Sequence, residues 1–278
     1  MVTVEELLRH ADGELATASF QPPRREAKLL LSRVLGWNEA RVLSRGETQV
    51  GETEARRFRE LLRRRITGEP VAYLLGEKEF YGRVFDVDPR VLIPRPETEH
   101  LVEAALEIQL PAAPRILDLG TGSGCLAVTL ACEIPGSLVT AVDKSISATA
   151  VASKNIARHT VADRVKLLSA DLATAIDLRP FDLVVSNPPY VDPAETVSAE
   201  VADFEPQLAV FAPSRGISII RRLLTDLSPL AGGTPLCIEI GAGQAATVER
   251  LLSSSTFELL EVLPDLAAIP RVVVARRR

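Results

Sequence analysis

Asn187-Pro188-Pro189-Tyr190 is the segment whose residue types point most directly to chemistry. It follows an apolar run, Phe181 to Ser186, that predicts a buried strand. Prolines lack an N–H donor, and Pro188 favours an extended Asn187, so the loop is expected to be stiff and rich in acceptors. The Asn187 side-chain oxygen can accept from an NH2 group, and the Tyr190 ring offers a flat surface. The segment fits a planar amide or an exocyclic amine, although a proline-rich turn with a capping Asn has the same sequence.

A second candidate site is the glycine-rich run Gly120-Thr121-Gly122-Ser123-Gly124. It lies between a predicted buried strand, Arg115 to Leu119, and an apolar segment, Cys125 to Ala131, that predicts a helix. Alternate glycines permit positive φ and let a ligand approach the main chain, while a helix N-terminus favours a carboxylate or phosphate. A dinucleotide site is an equally good interpretation of this run alone, although its spacing differs from Gly-x-Gly-x-x-Gly.

Acidic residues follow the next two predicted strands. Asp143 comes after Leu138 to Val142, about twenty residues beyond the glycines, where a carboxylate can accept from both hydroxyls of a ribose. Asp171 follows Val165 to Ser169 and can accept from an adenine amine. A single acidic residue after a strand is more often a turn or a helix cap. Because the glycine turn and both acids follow in order at one predicted sheet edge, we favour an adenosine-containing donor beside an amine-type acceptor.

Together these segments resemble the Class I S-adenosylmethionine-dependent methyltransferases, and more narrowly the release-factor glutamine N5-methyltransferases often called HemK or PrmC. Asn-Pro-Pro-Tyr occurs in many amino-group methyltransferases, whereas the run Val91 to Glu99, with the sequence VLIPRPETE, is far more specific. The similarity covers about residues 70 to 250. Its other matching segments are Pro70–Gly76, Glu79–Gly82, Phe85–Val87, Phe204–Pro206 and Glu239–Gly241 with Gln244.

The resemblance implies a role for each candidate residue. Gly120 to Gly124 are expected to surround the methionine part of the cofactor, and Asp143 to hold its ribose. Asp171 and Leu172 are expected at the adenine, and Asn187 between cofactor and substrate. The departures from the family pattern are Leu172 in place of an aromatic residue, Val210–Gly216 in place of a glycine-rich loop, and Ala268 in place of a glycine between Asp265 and Arg271. These differences affect loop geometry and adenine packing more than the chemistry.

The substrate that the resemblance implies is the glutamine of the Gly-Gly-Gln motif in peptide-chain release factors. An amide nitrogen is a weak nucleophile because its lone pair is delocalised, so alignment is the main catalytic device. We expect Asn187 Oδ1 and the Pro188 carbonyl to hold the two amide hydrogens. Pro189 and Tyr190 complete the expected substrate site, with the Tyr190 ring against the amide plane. No strong general base is visible, so proton loss is expected to follow attack.

Two other functions remain open at this point. The same chemistry can methylate a ribosomal-protein glutamine or an exocyclic amine in RNA or DNA. A non-enzymatic module that retains nucleotide binding is the third interpretation, although a mere binder does not need the acceptor-lined loop at Asn187 to Tyr190. A net charge of −5 and the absence of a basic nucleic-acid module speak against sequence-specific DNA binding.

The composition is that of a globular protein, with 278 residues, 46% of them hydrophobic and 25% charged, enough for one large core or two. Acidic residues interrupt the first segment, and no run of about 18 apolar residues occurs, so we expect neither a signal peptide nor a membrane span and favour the cytoplasm. The cysteines, Cys125, Cys132 and Cys237, lie in apolar stretches, and the three histidines are scattered. We therefore predict no metal site.

The organisation predicted along the chain is a small N-terminal all-helical domain, residues 1–69, for substrate-protein recognition. Its third helix, Glu52 to Ile66, carries an arginine run that is either a solvated face or a contact for an acidic partner or RNA. A linking segment follows at 70–96, in which Glu79 to Val87 and Val91 to Ile93 predict a short β-hairpin. A methyltransferase domain follows at 97–278, and its first helix is expected from Glu97 to about Gln109. Strands that alternate with helices there predict an α/β fold, with a mostly parallel Rossmann-like Class I methyltransferase sheet and helices on both faces. Phe257 to Leu263 and Arg271 to Ala275 predict two closing strands, and the resemblance implies that the last strand is antiparallel.

Overall fold

The structure, a computed structural model, describes residues 2–18, 23–174 and 176–278. Helices and strands are numbered along the chain. The helices are α1 Val4–Thr17, α2 Pro23–Leu35, α3 Glu39–Ser44, α4 Glu52–Ile66, α5 Val71–Leu75, α6 Glu99–Leu106, α7 Cys125–Glu133, α8 Ile146–Arg158, α9 Ala199–Phe204, α10 Gln207–Val210, α11 Ser218–Asp226 and α12 Ala245–Ser253. The strands are β1 Val2–Thr3, β2 Gln49–Val50, β3 Glu77–Phe80, β4 Arg83–Asp86, β5 Arg115–Leu119, β6 Leu138–Asp143, β7 Val165–Ser169, β8 Leu183–Ser186, β9 Pro235–Glu239, β10 Phe257–Pro264 and β11 Pro270–Arg277.

The chain forms two compact units. The N-terminal unit comprises the residues up to Glu77 together with Ser198–Phe204, and the second unit comprises Lys78–Val197 and Glu205–Arg278. The division into 1–69, 70–96 and 97–278 stays a prediction about independent domains. None of the described helices is long and apolar enough to cross a membrane.

The N-terminal unit is mainly helical, as predicted. Helix α1 begins with a capping box, in which the Glu6 N–H donates to Thr3 Oγ1 (3.2 Å) and the Thr3 N–H donates to Glu6 Oε2 (2.8 Å). Helix α4 has the predicted bounds and buries Phe58 and Leu62. Its arginines are exposed except Arg65, which is buried against the expectation of an outward face. The structure also contains a short antiparallel pair, β1–β2, which was not predicted. Strands of two residues are too short to show a hydrophobic alternation in the sequence.

The second unit contains, within the described residues, a seven-stranded sheet of order β10-β11-β9-β8-β5-β6-β7. Strands β5 to β9 run parallel to one another, whereas β11 is antiparallel to both β9 and β10. The predicted Rossmann-like sheet and its two closing strands are therefore confirmed, and the last strand is antiparallel, as the resemblance implied. The parallel order also brings the carboxyl ends of β5, β6, β7 and β8 to one edge.

Alternation along the strands builds a core on each face of this sheet. In β5, Ile116 packs with α6, α7 and α8 on one face, while Leu117 packs with α11 and α12 on the other. Cys237 and Ile238 of β9 divide in the same way. Both faces are covered, which explains why these strands are continuous apolar runs and confirms helices on both faces.

The segment before the sheet differs in detail from the prediction. The hairpin consists of β3 and β4, joined by Tyr81 and Gly82 with φ of 50° and 69°, a two-residue turn that suits the strand twist. The expected second strand at Val91 to Ile93 is not formed. The Ile93 N–H donates instead to Glu205 Oε2 (3.3 Å), so this backbone group is held by a side chain. The helix expected over 97–109 is a 3₁₀ turn, Pro96–Thr98, followed by α6.

Candidate active site

The loops that follow β5, β6, β7 and β8 meet at one edge of the sheet. The strand register aligns Leu119 with Val142 and with Ser186, and Asp143 with Ser169, so the predicted site residues begin at the same level. The Ser186 hydroxyl donates to the Leu119 carbonyl (2.7 Å), which ties the end of β8 to the end of β5. This pairing places the Asn187 loop directly beside the glycine loop.

A cavity lies at this edge and collects most of the predicted site residues. Its wall includes Gly120, Thr121, Gly122, Ser123, Asp143, Asp171, Leu172, Asn187 and Pro189. Gly124, Pro188 and Tyr190 lie outside this lining. The wall also includes residues to which the sequence analysis gave no role: Arg90, Val91, Leu92, Pro94, Arg95 and Thr98 from the PRPETE region, and Pro206, Leu208, Ala209, Phe211, Ile219 and Arg222 from later in the chain.

The glycine loop has the backbone that the sequence predicted. Gly120, Gly122 and Gly124 have φ of 78°, 56° and 82°, which a side chain rarely tolerates. The N–H groups of Gly120 and Thr121 both donate to the Val142 carbonyl (2.9 Å each), so the turn is fixed to β6. A Cβ added to Gly120 would lie 3.9 Å from the Asn187 carbonyl oxygen, its nearest neighbour, so the cavity side of the loop stays open.

Asp143 is oriented by the loops on either side of it. Its Oδ2 accepts from the Gly122 N–H and its Oδ1 accepts from the Ser145 N–H, both at 2.8 Å. Each carboxylate oxygen accepts one of these bonds and keeps a further lone pair. The carboxylate is therefore rigid and can still accept from hydroxyls that enter the cavity.

Asp118, inside β5, was not predicted as a site residue. It is completely buried, and its Oδ2 accepts from the Thr121 hydroxyl (2.6 Å), whereas its Oδ1 has no partner. Burial, with a contribution from the nearby Asp143 charge, raises the pKa of Asp118 to about 7. In the sequence, Asp118 lies just before a glycine turn, where an acid often caps the turn. Only the structure shows that it is buried and accepts from the Thr121 hydroxyl.

Asp171 lies in a cluster of charges at the far end of the wall. Arg222 donates to its Oδ2 (2.9 Å), and Lys144 Nζ lies 3.2 Å from the same oxygen. These cations, Arg222 foremost, lower the pKa of Asp171, so the group is a carboxylate. Leu172 follows with φ of 54°, a left-handed conformation unusual for a leucine, and it lines the cavity while packing against the core.

Asn187 is held by a residue from a distant segment. Its Nδ2 donates to Thr98 Oγ1 (3.0 Å), and Thr98 is only 3% exposed. This donation uses the nitrogen and leaves Oδ1 as the acceptor of the side-chain amide. Asn187 lines the cavity together with the glycine loop, so an acceptor of fixed orientation stands beside the predicted cofactor wall.

Tyr190 is anchored at both its ring and its backbone. The hydroxyl donates to Glu239 Oε1 (3.0 Å), and the Gln244 Nε2 donates to the Tyr190 carbonyl (2.7 Å). Burial, and then the Glu239 carboxylate, raises the pKa of Tyr190, so the phenol stays protonated. Glu239 and Gln244 both lie in segments that resemble the family, but the sequence predicted no role for either side chain.

The residues around Arg95 connect the PRPETE run to the region after the Asn187 loop. Arg95 forms an ion pair with the buried Glu205, which also accepts from the Ile93 N–H. Both charged residues belong to segments that the sequence analysis quoted as family matches. Their pairing positions the start of the apolar wall that Pro206, Leu208 and Phe211 provide.

Among the described residues, no group of three or more His, Cys, Asp or Glu side chains is placed to hold a metal ion. The histidines have local partners, for example His159 Nε2 with the Val84 carbonyl at 2.9 Å. Of the three free cysteines, Cys237 is buried, and Cys125 and Cys132 are half-buried against the core.

The fold and the cavity at its sheet edge define a methyltransferase. Residues 98–205 match the family model of the methyltransferase small domain, and residues 6–76 match that of the PrmC N-terminal domain. A methyltransferase from Pyrococcus furiosus has the same fold, with a TM-score of 0.55 at 15% sequence identity over 77% of this chain and 96% of that one.

Two curated relatives specify the family. The release factor glutamine methyltransferase of Koribacter versatilis is 44% identical over 285 residues, which cover 99% of both chains. That of Nitratidesulfovibrio vulgaris is 41% identical over 282 residues, covering 99% of this chain and 95% of the relative. The chain belongs to the release factor glutamine methyltransferase family, as the resemblance indicated.

Proposed function

We propose that this protein transfers a methyl group from S-adenosylmethionine to the side-chain amide nitrogen, N5, of the glutamine in the Gly-Gly-Gln motif of peptide-chain release factors. Family membership over nearly the whole chain supports the reaction. One structural observation supports the site. Asn187 lines the cavity beside the glycine loop, and its side-chain nitrogen donates to Thr98, so its side-chain oxygen remains as the acceptor. A cytoplasmic location is part of this proposal, because release factors act on ribosomes.

The residues of the cavity wall fit an adenosine-containing cofactor. In the run Gly120 to Gly124, Gly120 and Gly122 bring bare main chain to the cavity for the methionine part, and Asp143 keeps lone pairs for the ribose hydroxyls. Asp171 can accept from the adenine amine with a remaining lone pair, although Arg222 and Lys144 share its charge. Leu172 supplies an apolar contact in place of an aromatic ring.

When bound, the cofactor supplies an electrophilic methyl group on a sulfonium. The protein's task is to align a weakly nucleophilic amide nitrogen with that methyl. In this proposal, Asn187 Oδ1 and the Pro188 carbonyl accept the two amide hydrogens, so that the nitrogen can point along the wall toward the glycine loop. The same acceptors stabilise positive charge as it develops on the nitrogen.

Pro189 and Tyr190 complete the proposed substrate site. Pro189 lines the cavity, and Tyr190, whose hydroxyl is bonded to Glu239, is proposed to place its ring against the amide plane and exclude water. A protonated phenol and an Asn side chain are not strong bases. The amide nitrogen therefore loses its proton only after it has attacked the methyl group, and the proton passes to solvent.

The N-terminal unit is proposed to recognise the substrate protein. A groove on this unit is lined by three arginines, one glutamate and three apolar residues: Arg33, Arg56, Arg57, Glu60, Val34, Leu61 and Leu74. Its mixture of arginine stems and apolar side chains suits an acidic protein surface. Substitution of Arg56 and Arg57 by Ser together should raise the KM for the release factor and leave the KM for the cofactor unchanged.

The proposed function is tested with methyl-labelled S-adenosylmethionine. The purified protein is incubated in parallel with a release factor, its Gly-Gly-Gln to Gly-Gly-Ala variant, total ribosomes and DNA, and S-adenosylhomocysteine is quantified in each reaction. Label on the release factor that disappears with the glutamine supports the proposal. Label on ribosomes or DNA in its place would keep the chemistry and replace the substrate, and no transfer to any of them would remove the enzymatic proposal.

A further inference from the structure

Glu239, at the end of β9, is a buried carboxyl group that the mechanism above does not use. The residue is completely buried and does not line the cavity. Its Oε1 accepts from the Tyr190 hydroxyl (3.0 Å), whereas its Oε2 has no hydrogen-bond partner.

Tyr190 connects Glu239 to the segment Asn187–Tyr190 that follows β8. Thr98 accepts from the Asn187 amide at the start of this segment, and Tyr190 is its last residue. The segment is therefore held at its start by Thr98 and at its end by Glu239, which accepts from the Tyr190 hydroxyl. A rotation of Glu239 would release the Tyr190 ring.

Retaining a carboxyl group at this position is costly for folding. Burial raises the pKa of Glu239, which means that its charged form is disfavoured there. The nearest cation, Arg271, is hydrogen-bonded to Asp265 (2.9 Å), so it opposes this effect only from a distance. An apolar side chain would avoid the desolvation and fill the same volume, which indicates that the acceptor is needed for the loop.

We propose that Glu239 is a positioning residue for methyl transfer, which fixes the ring of Tyr190 through its hydroxyl and so holds the end of the segment Asn187–Tyr190. This inference rests on the proposed function. It assigns Glu239 no contact with cofactor or substrate, and it requires only that one of its oxygens accepts a hydrogen bond.

The test compares Glu239→Gln, which keeps an acceptor for the Tyr190 hydroxyl, with Glu239→Leu, which has a similar size and none. With a release factor as substrate, Glu239→Leu should lower kcat roughly 30-fold or more, because a small displacement of an aligning group has a large effect. The KM for the release factor and the dissociation constant of S-adenosylhomocysteine should stay within about threefold, and Glu239→Gln should recover most of kcat.

A double-mutant cycle tests whether Glu239 acts through the loop. Tyr190→Phe removes only the hydroxyl that Glu239 accepts, so Glu239→Leu should cost less in that background than in the wild type. Thr98→Ser should retain the acceptor for Asn187, whereas Thr98→Val should not. Thr129→Val is the matched control, because Thr129 is also fully buried with an unpartnered hydroxyl but lies in α7, away from the loop.

The outcomes separate this inference from the proposed function. If the wild type does not methylate the release factor, the proposed function is wrong. If the wild type is active and folded Glu239→Leu keeps its kcat, or if Glu239→Gln and Glu239→Leu lose the same activity, the inference is wrong. Thermal unfolding of each variant identifies loss of fold, and the Tyr190 signal among the three tyrosines in an NMR spectrum should shift in Glu239→Leu only if the ring is released.

Discussion

Asn187 is the residue on which the proposed alignment of the substrate depends. Substitution by Ala removes Oδ1 and the donor to Thr98 at once. Turnover should fall roughly 100-fold or more, the usual effect of losing a group that stabilises charge in the transition state. The affinity for S-adenosylhomocysteine, measured by calorimetry, should change only a few fold, because the glycine loop and Asp143 provide most of the proposed cofactor contacts.

Asn187→Asp is the informative companion to this variant. It keeps an oxygen at the position of Oδ1 but can no longer donate to Thr98, so its side chain loses the bond that fixes its orientation. Activity below that of the wild type is expected here too, with a rise toward low pH where a protonated Asp can donate again. Wild-type turnover in Asn187→Ala would remove the proposed mechanism.

Asp118 makes the stability of the protein depend on pH. Its pKa is raised to about 7 in the folded state from an ordinary value near 4, so the folded protein holds a proton that the unfolded chain has already released between these values. The contribution of Asp118 to stability is therefore greatest below about pH 4 and is lost progressively as the pH rises to about 7.

Asp118→Asn removes this titration and keeps the size of the side chain. Measured by denaturant unfolding from pH 5 to pH 8, the free energy of unfolding of the variant relative to the wild type should rise with pH and level off above about pH 7. A second buried position provides a control: Thr129→Val should give a constant difference over the same range. If the difference in the free energy of unfolding is also constant for Asp118→Asn, the ionisation of Asp118 is not coupled to folding.

At the scale of elements, the sequence predicted the parts of the site that are local. The glycine loop, Asp143 and Asn187 each follow an apolar strand within a few residues, so periodicity and turn chemistry were sufficient to place them. Parallel strands then bring these loops to one edge, whatever the length of the helices between them. The seven-stranded sheet confirms that reasoning.

The supports of the loop could not be predicted because they come from distant segments. Thr98, Glu239 and Gln244 lie between 49 and 89 residues from the loop residues that they contact. Their contacts depend on β9 pairing with β8 and on the start of α6 meeting both, which the order of elements in the sequence does not specify. The expected strand at Val91 failed for a similar reason, since a distant glutamate occupies the Ile93 N–H.

Gly216, just before α11, lies very close to the end of the segment Asn187–Tyr190. Its φ is 73°, and an added Cβ would lie 1.8 Å from the Tyr190 carbonyl oxygen and 2.4 Å from Gln244 Nε2. Gly216→Ala must therefore displace the end of the segment Asn187–Tyr190 or break the bond from Gln244 to Tyr190. We expect kcat to fall at least about tenfold, because the Tyr190 backbone moves.

Gly233→Ala separates this steric effect from the backbone effect. Gly233 has a similar φ of 90°, but an added Cβ would meet nothing within 4 Å. Its substitution should cost only the left-handed conformation, about 1–2 kcal/mol in the free energy of unfolding, without loss of kcat. Equal kcat values for the two variants would contradict the close approach at Tyr190.

At the scale of the whole molecule, the N-terminal unit is not continuous in sequence. Helix α9, which follows the segment Asn187–Tyr190 along the chain, belongs to this unit rather than to the sheet. Arg65, 3% exposed, holds it there: its Nε donates to Glu26 Oε2 (2.7 Å) and its Nη2 to Glu200 Oε1 (2.6 Å). A single arginine thus connects α2, α4 and α9, with Glu200 lying 135 residues away.

Removing Arg65 should loosen α9 as well as destabilise the unit. Arg65→Ala leaves two carboxylates without their buried partner, so we expect a loss of about 3 kcal/mol or more in the free energy of unfolding. Hydrogen exchange at residues 199–204 should become faster in the same variant, because α9 then lacks its link to α4. Arg64→Ala is the matched control on the same helix: Arg64 pairs with Glu69 but is itself 44% exposed, so its loss should cost less than that of the buried Arg65. Unchanged exchange at 199–204 in Arg65→Ala would mean that other contacts hold α9 in the unit.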